Sequence, residues 1–121
     1  MNVTIEILQE LVKTYKKNIG FSEDFEIRVR EGWPKPLEHC CICIPEYEKE
    51  KVKGVTIKID CTHGFKEALL HFLHELSHAR DYYKGNSGKF SEIKADLYSF
   101  FFFPKFYLIA RKLKRDLDRE S

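Results

Sequence analysis

HFLHELSHAR, residues 71–80, carries three of the chain's five histidines within eight positions. His71, His74 and His78 are spaced three and then four apart, so on a helix they fall along one stripe. Glu75 follows the middle one directly. His74-Glu75-Leu76-Ser77-His78 is an HExxH pattern. Histidines at i and i+4 project side by side from consecutive turns and can hold one Zn²⁺ at about 2.0–2.1 Å each. Glu75 then points to the side where a metal-bound water would sit. There it can take the water's proton during attack on a carbonyl and deliver it to a leaving amine. His71 is about 10.5 Å of helix axis from His78, too far for both to close on one ion, and is expected to be a packed or hydrogen-bonded neighbour.

Working outward, the flanking residues predict a helix from about Phe65 to Tyr83, with Thr62 as N-cap. KGNSGK (84–89) breaks it, and a further helix starts near Ser91. Ile93, Leu97, Phe100 and Phe101 recur there at core spacing, Pro104 interrupts the pattern, and FYLIARKLKRDLDRE forms a final solvated helix. Phe100 to Phe103 circle the helix and cannot all face one core; Phe102 and Phe103 are candidates to cover the last helix, line a cleft or form a dimer contact. SEIKAD (91–96) places Glu92 and Asp96 four apart, beside that apolar stripe. Two histidines leave a catalytic zinc one protein ligand short. Glu92 is expected to complete a His₂Glu set, and Asp96 to accept the free ring N–H of His74 or His78. His63 is the substitute ligand should Glu92 fail; His39 has no assigned role.

Upstream, residues 4–18 put Ile5, Leu8, Leu11, Val12 and Tyr15 on one helical face. FEIRVR (25–30) alternates as a strand, EGWPKPLE (31–38) is a loop, and EHCCICI follows as a second strand. EYEKEKVKG is a charged hairpin or loop, and VTIKID (55–60) is a third strand with Val55, Ile57 and Ile59 inward. Strands segregated from helices predict an α+β fold with a small three-stranded antiparallel or mixed sheet, packed on the histidine helix and the carboxylate helix. VTIKID is expected at the cleft edge, holding an extended peptide by strand addition. Arg80, Tyr82, Tyr83 and Tyr98 are the candidate oxyanion donors.

The chain's 121 residues suit one domain, 1–121. Its 21 basic and 19 acidic residues are too balanced and interspersed to make nucleic acid the expected partner. No apolar run has the length of a membrane span, and MNVTIEILQELVKTY lacks the basic start and apolar core of a signal peptide. The expected location is the cytoplasm. Cys40, Cys41, Cys43 and Cys61 then read as thiols. A second site from Cys41, Cys43, Cys61 and His63 lacks the paired knuckles of structural zinc, so strand cysteines are expected instead.

HELSHARDYY, a short loop, then EIKADLYSFFFFP resembles the ImmA/IrrE-like metallopeptidases, over about residues 53–104. The same motifs are similar to the minigluzincins and to the catalytic domains of related membrane metallopeptidases. The resemblance implies a zincin-like, gluzincin-type architecture, zinc on His74, His78 and Glu92, and Glu75 as general base. It also implies a peptide or protein substrate; some members cleave transcriptional repressors, and others are held latent by a C-terminal segment. The expectation is therefore a zinc metallopeptidase acting through a zinc-bound water, with a homodimer as a candidate assembly. The alternative is a latent or inactive zinc-binding scaffold, its site covered by a partner or by the C-terminal helix through Asp116, Asp118 or Glu120.

Overall fold

The computed structural model describes residues 3–32, 41–61, 64–84 and 91–120; the side chains of Val3, Cys41, Ser91, Glu92 and residues 117–120 lie outside the description. Outside it also lie Cys40, His39, His63, the Thr62 cap, the proline loop from Trp33 to Glu38 and most of the glycine break. The described chain is α+β. Its elements run α1 (Val3–Tyr15), β1 (Glu26–Glu31), β2 (Cys41–Glu48), β3 (Lys51–Ile59), α2 (Phe65–Lys84) and α3 (Ser91–Glu120).

The sheet is mixed, in the order β1-β3-β2. β3 pairs parallel with β1, from Glu26↔Gly54 to Glu31↔Ile59, and antiparallel with β2, from Cys41↔Ile59 to Glu48↔Lys51. Alternation decides the buried face: Val29, Val55, Ile57 and Ile59 have no exposure and meet Leu69, Phe72, Leu73 and Leu76 of α2. Each such side chain contributes about 1.5–3 kcal/mol on burial. Ile7, Leu8 and Leu11 of α1 close the same core. The charged stretch EYEKEKVKG is mostly strand, turned at Lys49 and Glu50, whose φ values of 50° and 71° mark a two-residue hairpin turn of the I′ kind.

Three expectations need correction. VTIKID belongs to the central strand and is hydrogen-bonded on both sides, so it cannot add a peptide strand. The strand order depends on a long-range crossing that alternation does not encode. Of the two outer strands, β1 is already covered: the Gln9 amide of α1 donates to the Ile27 carbonyl (3.2 Å) and accepts from the Val29 N–H (2.9 Å). Among the described residues the other edge of β2 has no strand beside it.

Second, α3 is one helix running through Pro104. Proline removes one intrahelical bond, but Pro104 is exposed, where water can satisfy the freed carbonyl of Phe100. Apolar packing by Phe102, Phe106, Ala110 and Leu113 holds the helix on both sides of the break. Third, Ile93, Leu97, Phe100 and Phe101 face out, and the inward face is Ala95, Tyr98, Ser99, Phe102 and Phe106. Small residues at 95, 99 and 110 let α3 lie close against α2, Tyr98, Phe102 and Phe106 fill the space beside them, and Ile93, Leu97, Phe100 and Phe101 are turned away.

Candidate metal centre

α2 is the element that builds the site. Its apolar positions Leu69, Phe72, Leu73 and Leu76 anchor one face to the sheet, which fixes the rotation of the helix and sets Glu75 beneath His74 and His78. His74 and His78 are half-buried, and Glu75 is only 8% exposed. One ligand atom from each of the three lies within 4.8 Å of the others. Among the described residues this is the group that could hold a metal ion.

The two imidazoles meet through their Nε2 atoms, 3.2 Å apart, with ring centroids 4.9 Å apart. Without a metal, a hydrogen bond between the rings accounts for the contact. The separation also suits a shared ion: atoms 3.2 Å apart and each about 2.05 Å from zinc subtend an angle of about 100°, close to tetrahedral. The Nδ1 of His74 lies 3.2 Å from Asp96 Oδ1 on α3. A proton held there for the carboxylate places the lone pair of His74 on Nε2, the atom that faces His78. The two imidazoles and the carboxylate of Glu75 could hold a metal ion.

Glu92 lies in the first turn of α3, one helical turn before Asp96. Its backbone thus leads into the part of α3 that meets α2, while its side chain lies outside the description. His71 does not join the cluster; its Nε2 pairs with Glu67 at 3.6 Å, one turn back along α2.

β2, which also packs on α2, brings Cys43 close enough to feel the charge of Glu75. Burial foremost, with the Glu75 charge adding, pushes the Cys43 thiol far above its ordinary range. Cys43 is thereby a neutral, buried thiol, and it is a free cysteine, as is Cys61. Tyr82 is raised too, by burial first and then by the charges of Cys43, Tyr47 and Glu75. Cys43 and Tyr47 are two positions of one β2 face, at spacing i, i+4, a signal that alternation would have supplied had the strand been read through to Glu48.

Of the four candidate oxyanion donors, Tyr98 has its hydroxyl engaged elsewhere: it donates to the Ile19 carbonyl at 3.2 Å. The Tyr83 ring packs against both Phe21 and Phe25, with centroids 5.6 and 4.9 Å away. Arg80 lies over Gly20, and its buried Nε has no hydrogen-bond partner among the described residues. Tyr82 stands one turn after His78 and two after Glu75, partly exposed. No family model, no curated protein and no solved structure matches the chain.

Proposed function

We propose that the chain is a zinc metallopeptidase domain of zincin-like architecture. The observation that carries this is the pair of Nε2 atoms 3.2 Å apart, one ring held by Asp96 from behind, directly above a buried glutamate. A structural zinc site has no use for the carboxylate of Glu75, whereas hydrolysis needs a base there. His74, His78 and Glu92 would hold the ion, which when bound supplies Lewis acidity to a water and a peptide carbonyl.

The remaining steps belong to the protein's own groups. Glu75 accepts a proton from the attacking water, and the new C–O bond forms at the carbonyl carbon. The same carboxylate then protonates the amide nitrogen as the C–N bond breaks, releasing the amine. Asp96 keeps the His74 ring from rotating. Tyr82, one turn after His78 on α2, would be the donor to the oxyanion charge. An extended substrate would add along the open edge of β2, the strand that carries Cys43 beside Glu75, since β1 is closed by Gln9.

Self-coverage by the C-terminal segment meets a geometric obstacle. Asp116 follows Asp96 by 20 residues of one continuous helix, which places it about 30 Å along the axis from the site.

The test is metal content of the purified chain beside His78→Ala and Glu92→Gln. One zinc per chain, lost or much weakened in both variants, supports the site. Glu75→Gln should then retain zinc and lose cleavage of a denatured protein substrate. Zinc retained undiminished in both ligand variants would sink the proposal.

A further inference from the structure

We infer that the outer face of α3 docks on an anionic lipid surface, an inference that does not depend on the peptidase reading. Ile93, Leu97, Phe100, Phe101 and Leu108 are exposed, Phe100 and Phe101 at 74% and 77%. Their spacing of i, i+4, i+7, i+8 and i+15 puts them on one side of a single helix, with exposed Pro104 filling the gap. The stripe is about 22 Å long. Five large apolar side chains exposed in one line form a contiguous patch, unlike the scattered single exposures that an ordinary surface carries.

Cations frame this stripe. Between Ile93 and Asp116 stand six lysines and arginines (Lys94, Lys105, Arg111, Lys112, Lys114, Arg115) against two carboxylates. One of those carboxylates, Asp96, is engaged with His74. None of the six cations has an ion pair among the described residues. Helical spacing sets Lys94, Lys105 and Lys112 along one flank, while Arg111 and Arg115 continue the line of the stripe itself.

At that end a cavity of about 650 Å³ is lined by Phe65, Tyr107, Lys66, Arg111, Lys114 and Arg115. The Tyr107 ring is set between Lys66 at 5.4 Å and Arg111 at 5.9 Å. Unpaired cations around an aromatic floor suit a headgroup phosphate. A helix with a Phe- and Leu-rich face bordered by lysine and arginine lies in the plane of an interface, apolar side down. No helix among the described residues is long and apolar enough to cross a membrane, so the contact is peripheral.

A second copy fits this face less well. Antiparallel pairing centred between Phe100 and Phe101 would match Ile93 with Leu108, but two-fold symmetry brings like flanks together. Lys94 of one helix would then lie beside Lys105 of the other. An anionic surface turns that repulsion into attraction.

The test is co-sedimentation of the full chain with vesicles of phosphatidylcholine alone and of phosphatidylcholine and phosphatidylglycerol in equal parts. Binding is expected to the mixed vesicles only and to weaken with salt. The double variant Phe100→Ser, Phe101→Ser should weaken binding about tenfold or more, and Arg111→Gln with Arg115→Gln several-fold. Circular dichroism should show the wild-type fold in both, because all four positions are exposed. Absence of binding, equal binding to both vesicle types, or binding untouched by the phenylalanine changes would overturn the inference. So would a dimer formed without lipid and dissolved by those same phenylalanine changes, which would assign the face to a second copy.

Discussion

Removing the Asp96 carboxylate should loosen the metal without unfolding the protein. Asp96 Oδ1 is 3.2 Å from His74 Nδ1, and it is the contact from α3 that orients this ring. Loss of such a partner behind a ligating histidine weakens metal binding by about 10–100-fold. The Asp96 side chain is 66% exposed, so water can replace part of what is lost; the effect should fall at the low end, about tenfold or ~1.4 kcal/mol. Asn keeps a neutral acceptor in the same place. A charge-assisted bond is about twice as strong as a neutral one, so Asp96→Asn should lose about half of that, roughly threefold. The assay is competition for zinc against a chromophoric chelator at fixed pH and salt, with His78→Ala as the reference for loss of a direct ligand. The expected order is wild type, Asp96→Asn, Asp96→Ala, then His78→Ala far below. Wild-type affinity in Asp96→Ala, alongside a large loss in His78→Ala, would refute the role given to Asp96.

Other substitutions probe the frame around the site. A Cβ at Gly54 would sit 2.6 Å from the Glu26 carbonyl oxygen, so Gly54→Ala must push β1 from β3 and should cost about 1–3 kcal/mol in chemical denaturation. Glu50 holds a φ of 71° in the hairpin turn, and Glu50→Gly should raise stability by about 1 kcal/mol in the same assay. Burial first, then Glu31 and Asp60, raise Cys61 from 9.0 to about 11. Above pH 9 the unfolded thiol has lost its proton while the folded one keeps it, so stability should decline as pH rises from 9 toward 11, and Cys61→Ser should flatten that decline. Tyr82→Phe should lower kcat about tenfold or more, leaving KM and zinc affinity unchanged. An unchanged kcat would return the oxyanion to another donor.

Much of the local structure is written in short-range periodicity. Val55, Ile57 and Ile59 alternate inward as their spacing implies, and α2 starts at Phe65 and runs one residue past Tyr83. The Asp96–His74 contact is a case where two helix positions separated by a loop meet as their chemistry suggests. What resisted reading is non-local. The order of strands depends on β3 entering between β1 and β2, and no residue in VTIKID distinguishes a central strand from an edge. α3 defeats periodicity for another reason. Phe100–Phe103 are apolar all around the helix, so two faces compete. Bulk favours 93, 97, 100 and 101; close approach favours 95, 99 and 110. Packing against α2 selects the face with the small residues, which also carries Tyr98, Phe102 and Phe106, and leaves Ile93, Leu97, Phe100 and Phe101 outside.

The same choice of face links the fold to the site. If the bulky stripe had turned inward, Asp96 would rotate with it, because the two lie on one helix at fixed angles. Ala95 and Ser99, buried on the inward face of α3, thus hold the register that brings Asp96 to His74. Packing of α1 acts likewise on the sheet: Gln9 closes β1, and among the described residues the outer edge of β2 has no strand beside it. The small-residue seam and the Gln9 clasp, neither of them part of an HExxH pattern, fix how α3 and the sheet meet the helix that carries that pattern.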